Sequence, residues 1–489
     1  MPPRFLQQLT LRKFSRRPPP RSISECDDNM FRRGAILSNR PIGNLPSTFM
    51  PLAVEGLHIA HHVADAVHVQ RSGRQAIVLF GYAICSMTGV DDGARIAEIL
   101  LNCLTRGPET LYNYLQTLGG RYVVAFRDGD RWRLVNDAAG MRSLYFGRSA
   151  TARYVATHVN LIAMQDVDAP PRKMASRLGY PGNLTPLAGV YLHNPSTVLA
   201  LDDFDTARPF LLGASRSYTP QEVAAAILRR GRTQAAALAR PGDAVVSLTA
   251  GVDSRMTLAC LLPTADRFRF FTYDNGAAAS LERDVEGAQA LAASFGLTLR
   301  LVPVPAAPIR RDLLRVLANN TMQEHGQKLA QALVDAFGAQ AGRHVRSNIG
   351  EVFHVSDIDK FAYRARRTIE DYRDVAAAYR TLAAYPPDSA VRVDEAFRFW
   401  SEKGRHGESR LSMRDAYFVE HRMASWVANV LNEQDVAFDT TILFNTRELL
   451  NMAAAVPRRI RATGAIPREV FRQSGYDLTR LPINGKSWR

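Results

Sequence analysis

Two rhythms of apolar and polar positions run along this chain. The first is the uninterrupted or alternating apolar run of a strand. It is seen in Ala76–Ile84, in Arg121–Phe126 and its partner Trp132–Asp137 across the Asp128-Gly129-Asp130 turn, in Ala244–Leu248, in Phe268–Tyr273, and at Leu297, Leu299 and Leu301. The second is helical. It covers Asp92–Leu104, Pro108–Leu118, a stretch from Thr219 to about Leu238, a helix opening near Ser254 and stopped by Pro263, and Glu282–Phe295, closed by Gly296. Thr219-Pro220-Gln221-Glu222 has the form of a capping box with proline at the first helical position. Val345–His354 reads as a short strand-like start followed by a polar turn, and the remainder of the chain reads as helical.

The order of elements divides the chain. Up to about residue 210, hairpin strands and two helices predict an α+β domain of antiparallel sheets. From 211 to 489, strand, helix, strand, helix, strand predicts a doubly wound α/β domain with a parallel sheet and a helical extension. In such sheets ligands sit at the carboxyl ends of the strands, where the Thr249–Asp253 turn and the Thr272-Tyr273 pair both fall.

A strand that turns directly into a helix presents unpaired N–H groups and partial positive charge, which suits phosphate. Ser247, Thr249, Ala250, Gly251, Val252, Asp253 and Ser254 surround that turn. Thr249 and Ser254 bring hydroxyl donors, and Asp253 brings a carboxylate for a metal ion riding on phosphates. The stretch TAGVDS resembles the SGGxDS pyrophosphate-binding loop of the ATP pyrophosphatase superfamily, with threonine and alanine for the first two residues. It is not a Walker loop, because no Gly-Lys-Ser/Thr follows.

LGGRYVVAFRDGDRWRLVNDAAGMRSLYF (Leu118–Phe146) resembles the corresponding stretch of class II glutamine amidotransferase domains, as found in glutamine-dependent asparagine synthetases. Thr185–Asp202 is similar to the segment that closes that domain. The resemblance to the asparagine synthetase family implies an Ntn-hydrolase-like N-terminal domain of packed antiparallel sheets, joined to an ATP pyrophosphatase-type synthetase domain. It also implies ATP and Mg²⁺ as cofactors, a small-molecule or peptide carboxylate as substrate, and ammonia or an amine as the second reactant. Adenine contact at Thr272 and Tyr273, metal binding by Asp253 and Glu351, and catalytic roles for Glu351 (in Val345–His354) and Lys486 (in Leu481–Trp488) are carried over from the same resemblance. Asn445 and Arg447 fall in a helical region that is similar to the family's. The family's glutaminase cysteine at position 2 is Pro2 here, so the domain is expected not to hydrolyse glutamine. Cys26 is the nearest cysteine.

Composition changes this picture little. The formal net charge is +15, but the arginines are spread apart from a cluster in the N-terminal tail, which argues against nucleic acid. No apolar stretch reaches the ~18 residues that span a bilayer. Residues 1–40, rich in Arg and Pro, are expected to form a disordered tail; Phe5, Leu6, Leu9, Leu11 and Phe14 give it some likeness to a transit peptide. Cys26, Cys85, Cys103 and Cys260 form no CxxC pair, which fits buried thiols in a reducing, cytoplasmic setting. His58, His61, His62 and His68 lack the carboxylates of a metal site and read as structural. A homodimer is left open. Alternatives are a β-lactam-synthetase or peptide-cyclase type of ligase, a tRNA-modifying ATP pyrophosphatase, and a non-catalytic ATP-binding relic.

Overall fold

The computed structural model describes residues 28–483, apart from 173, 175, 177, 211–215, 241–243, 275–278, 340–341, 356, 366–367 and 387–388. Pro2, Cys26 and Lys486 therefore lie outside the described residues.

The N-terminal half contains twelve strands: β1 (Ala35–Ser38), β2 (Phe49–Val54), β3 (Leu57–His62), β4 (Val67–Ser72), β5 (Gln75–Cys85), β6 (Leu118–Asp128), β7 (Arg131–Asn136), β8 (Tyr145–Arg148), β9 (Arg153–Ala156), β10 (Tyr191–Leu192), β11 (Val198–Ala200) and β12 (Thr206–Ala207). They build two antiparallel six-stranded sheets, ordered β10-β8-β9-β1-β3-β2 and β12-β11-β7-β6-β5-β4. Side chains alternate across each strand. Ala76, Val78 and Phe80 of β5 therefore pack with Val123 and Ala125 of β6 and with Leu37 and Val155 of the other sheet. Ile77 and Leu79 face the opposite way, onto the helices Gly93–Thr105 and Pro108–Leu115.

Strand β1 corrects one expectation. It lies within residues 1–40, yet all four of its residues are buried and it pairs with both β3 and β9. Phe31 just before it is fully buried. The density of Arg and Pro in this segment masks the short apolar run Ala35 to Leu37, so the tail expectation fails for residues 28–40.

The second half holds five parallel strands, β13 (Val245–Ser247), β14 (Arg269–Asp274), β15 (Leu299–Pro303), β16 (Arg343–Val345) and β17 (Asp439–Thr441), in the order β15-β14-β13-β16-β17. The chain steps from β13 outward to β14 and β15, then returns to the other side of β13 for β16 and β17. The sheet order thus reverses at β13, and the loop leaving β13 opens at the switch point where parallel sheets bind ligands. Strand β17 also corrects the all-helical reading of the C-terminal region. Three residues are too few to show alternation, and only pairing with β16 identifies them.

The expected capping box is present, with Thr219 and Glu222 bonding reciprocally at the start of the helix Pro220–Leu238. The helix after the loop begins at Val252 rather than near Ser254, which brings Asp253 and Ser254 into its first turn.

The two halves are joined by buried polar contacts. Arg121 donates to both oxygens of Asp435 at 2.7 and 3.1 Å. Asn445 bonds Asp137 and the Gly120 carbonyl, and Arg447 reaches the carbonyls of Asn136 and Pro195. These two residues thus join the halves of the chain. Asp137 in turn accepts the N–H groups of Met141 and Arg142. Gly140 between them has φ +68°, and a Cβ there would come within 2.9 Å of the Ala424 methyl. Conformation and close approach both demand glycine at that point.

Candidate functional site

The site is built on the switch-point loop. Ser254, in the first helical turn, folds its hydroxyl back to accept the Thr249 N–H (3.2 Å) and to share a hydrogen bond with the Thr249 hydroxyl (2.8 Å). Arg255 holds the loop from behind. Its Nε donates to the Ala250 carbonyl, and the rest of its fully buried guanidinium donates to the carbonyls of Leu478, Leu481 and Pro482. Burial lowers its pKa to about 10, so it remains a cation at neutral pH.

Neither Ala250 nor Gly251 has positive φ, so the loop backbone does not require a glycine where alanine stands. The Ala250 methyl has a matched partner. It packs onto Gly287 of the helix Ala279–Ser294, where a Cβ would approach it to 2.6 Å.

Asp253 accepts a hydrogen bond from His354 Nε2 at 2.9 Å. Burial alone would lower the pKa of His354. The hydrogen bond and charge of Asp253, with the charge of Glu351, outweigh it and raise the pKa above its ordinary value. Glu351 opens the 3₁₀ turn Gly350–Phe353 after β16, so the two carboxylates expected to share a metal act on one imidazole. Gly350 leaves room for the Asp253 carboxylate, which a side chain at 350 would overlap. Ile349 before it is buried with φ +70°, a costly conformation for a β-branched residue and a mark of local strain.

Beside the loop lies a cavity of about 140 Å³. Ser247, Thr249, Ser254 and Tyr273 line it, together with residues that follow β16 and with Gln434. Phe271 and Tyr273 face the cavity, so Thr272 between them points to the other face of β14. Ala250, Gly251 and Val252 shape the turn and are not among the lining side chains.

His344 at the cavity floor is buried against Phe271 and Phe438. Its Nδ1 meets the Thr440 hydroxyl at 3.2 Å. Burial, aided by the Arg346 charge, lowers its pKa to about 3 and keeps it neutral. Sequence reading passed over His344, Arg346, Ser347, Asn348, His354 and Gln434. Most of them stand in or beside the Val345–His354 stretch, and only the pairing of β16 with β13 brings them to the loop.

Among the described residues no group of three or more His, Cys, Asp or Glu side chains is arranged to hold a metal ion. The oxygens of Asp253 and Glu351 are the hard donors Mg²⁺ prefers, and an ion there would draw its remaining ligands from phosphate and water. His62 bonds the Asp28 carbonyl, and burial lowers its pKa to about 4. Cys85, Cys103 and Cys260 are free thiols.

No protein-family model matches the chain, and no curated protein does. Two solved structures are similar over part of it. A glutamine phosphoribosylpyrophosphate amidotransferase from B. subtilis, complexed with ADP and GMP, is 13% identical, with a TM-score of 0.25, over 65% of this chain and 70% of its own. The allosteric regulatory enzyme of purine biosynthesis is 12% identical, with a TM-score of 0.26, over 63% of this chain and 86% of its own. Likeness at this level adds no residue to the site. Among the described residues no helix is long and apolar enough to cross a membrane.

Proposed function

We propose that the chain is an ATP-dependent, amide-forming ligase of the asparagine synthetase kind, without glutamine hydrolysis of its own. The observation that carries this reading is the placing of Thr249, Asp253 and Ser254 around a helix start at the switch point of a parallel sheet. Backbone N–H groups at that helix start would cradle the pyrophosphate of ATP, and the hydroxyls of Thr249 and Ser254 would exchange their mutual hydrogen bond for phosphate oxygens. A bound Mg²⁺, held by Asp253 and Glu351, would supply charge neutralisation at the departing pyrophosphate. The substrate carboxylate would attack the α-phosphorus to give an acyl-adenylate and pyrophosphate. An amine or ammonia would then displace AMP, with Lys486 the candidate to balance charge as the amide forms.

ATP–pyrophosphate exchange against a panel of carboxylates tests the reading. Exchange should depend on a carboxylate and be lost in Asp253→Asn. Exchange with no member of the panel, together with no binding of Mg-ATP, would reject it. A second reading, a non-catalytic ATP-binding protein, is favoured by the Asp253–His354 hydrogen bond, which engages the carboxylate a metal would need. Binding of Mg-ATP without exchange would select it.

A further inference from the structure

The cavity beside the loop contains a cation without an acid. Arg346 follows β16 and lines the cavity. Among the described residues its guanidinium makes one hydrogen bond, to the neutral amide oxygen of Gln434 at 3.0 Å, and no carboxylate pairs with it. Most other half-buried or buried arginines here have an acid or several carbonyls. Arg121 has Asp435, Arg208 has Glu420 and Arg461 has Asp415.

Around Arg346 the cavity presents further unfilled polarity. Ser347 Oγ, Asn348 Oδ1 and His344 Nε2 are buried and lack hydrogen-bond partners, and His344 is 2% exposed. Polar atoms left open on a cavity lining are available to whatever polar group enters it. Leu329 and Leu333 of the helix Gln327–Phe337 add apolar surface to the lining. At about 140 Å³ the space is well below the roughly 300 Å³ at which pockets for drug-sized ligands begin, the size of a small substrate.

We infer that the part of this cavity lined by Arg346, Leu329 and Leu333 is the acceptor subsite, next to the Thr249 and Ser254 hydroxyls proposed for phosphate, and that Arg346 binds the carboxylate of a small substrate whose short apolar stem lies on Leu329 and Leu333. The inference rests on the ligase reading and deepens it, by naming the charged group that sorts substrates. A guanidinium takes a carboxylate through two parallel hydrogen bonds. The Ser347 hydroxyl lines the same cavity, and the Gln434 side chain holds the guanidinium through their hydrogen bond. Glu433 is an acid that feels the charge of Arg346. Burial pushes its carboxyl up to about 8, despite the two backbone N–H groups it accepts, so it does little to cancel the arginine at neutral pH.

The test uses the full chain and ligand-observed NMR titrations with three probes: butyrate, its uncharged counterpart butyramide, and inorganic pyrophosphate. Butyrate should bind at least tenfold more tightly than butyramide. Arg346→Met should remove that difference and leave pyrophosphate binding at the loop unchanged. Arg346→Lys should retain part of the preference, because it keeps charge but not the fork. Equal binding of butyrate and butyramide by the wild type overturns the inference, as does the absence of butyrate binding. If Arg346→Met instead weakens pyrophosphate and leaves butyrate unaffected, the arginine serves the phosphates and the assignment is wrong. The comparison of the two probes on the wild type stands even if a variant fails to fold. Failure of pyrophosphate to bind while butyrate is selected would count against the ATP loop alone.

Discussion

Asp435→Asn is the sharpest test of how the two halves are held together. Asp435 is fully buried and stands among three guanidinium groups. Arg121 reaches it at 2.7 and 3.1 Å, Arg142 at 3.5 Å and Arg33 at 3.8 Å. The amide keeps the size of the carboxylate and removes its charge, leaving Asp439 as the acid still paired with Arg33 and Arg142. Removing one partner from a buried ion pair costs about 3–5 kcal/mol, because the remaining charge stays out of water. A matched control is Asp130→Asn, which breaks pairs with Arg74 and Arg127 at a carboxylate whose side chain is 67% exposed. Exposed pairs contribute about 0–1 kcal/mol. Urea unfolding, followed by far-ultraviolet circular dichroism and tryptophan fluorescence, should place the Asp435 variant several kcal/mol below wild type and the Asp130 variant within about 1 kcal/mol. Equal losses for the two, or a loss below about 1 kcal/mol at Asp435, would refute the claim that this buried pair secures the interface.

Further outcomes follow from single residues. Glu433 has its pKa raised by burial to about 8, from 4.5 unfolded. A raised acid contributes stability that is full below the unfolded value and is lost as pH rises through the folded one. Wild-type stability should therefore fall from pH 5 to pH 8.5 more steeply than that of Glu433→Gln, and parallel pH profiles would contradict this. Gly287→Ala should destabilise by about 1–3 kcal/mol through overpacking against the Ala250 methyl. Combining it with Ala250→Gly should restore most of the loss, and a double variant as unstable as the single one would refute the contact. The purified chain should release no glutamate from glutamine above background. Turnover that is blocked by a cysteine-directed glutamine analogue would reverse that expectation.

Legibility in the sequence followed the length and continuity of each pattern. Strands β5 and β6 announce themselves through the apolar runs Ala76–Ile84 and Arg121–Phe126, although β6 starts earlier, at Leu118, and takes in the two glycines expected to turn the chain. The Thr249–Ser254 turn is visible because its chemistry is local and contiguous. β1 is hidden by the arginines and prolines around it. β16 reads only as a strand-like start at Val345, whereas β17, at three residues, has no period to read and exists through its neighbour. The site suffers in the same way. Asp253 was legible from its loop, whereas His354 is 101 residues distant and meets it only because β13 and β16 lie side by side. Arg346 carries no motif, and its lack of an acid can be seen only once its neighbours are known.

Arg255 ties events that are far apart in time as well as in sequence. Its guanidinium finds carbonyl partners at Leu478, Leu481 and Pro482, the first of them 223 residues further on. During synthesis the loop and its helix emerge long before those carbonyls exist. Until residues 478–482 have been made and docked, the arginine behind the loop has only the Ala250 carbonyl of this set. The nascent chain therefore passes through a stage in which the sheet can form and the loop still lacks its backing. Completion of the support behind the loop is deferred to the last part of translation.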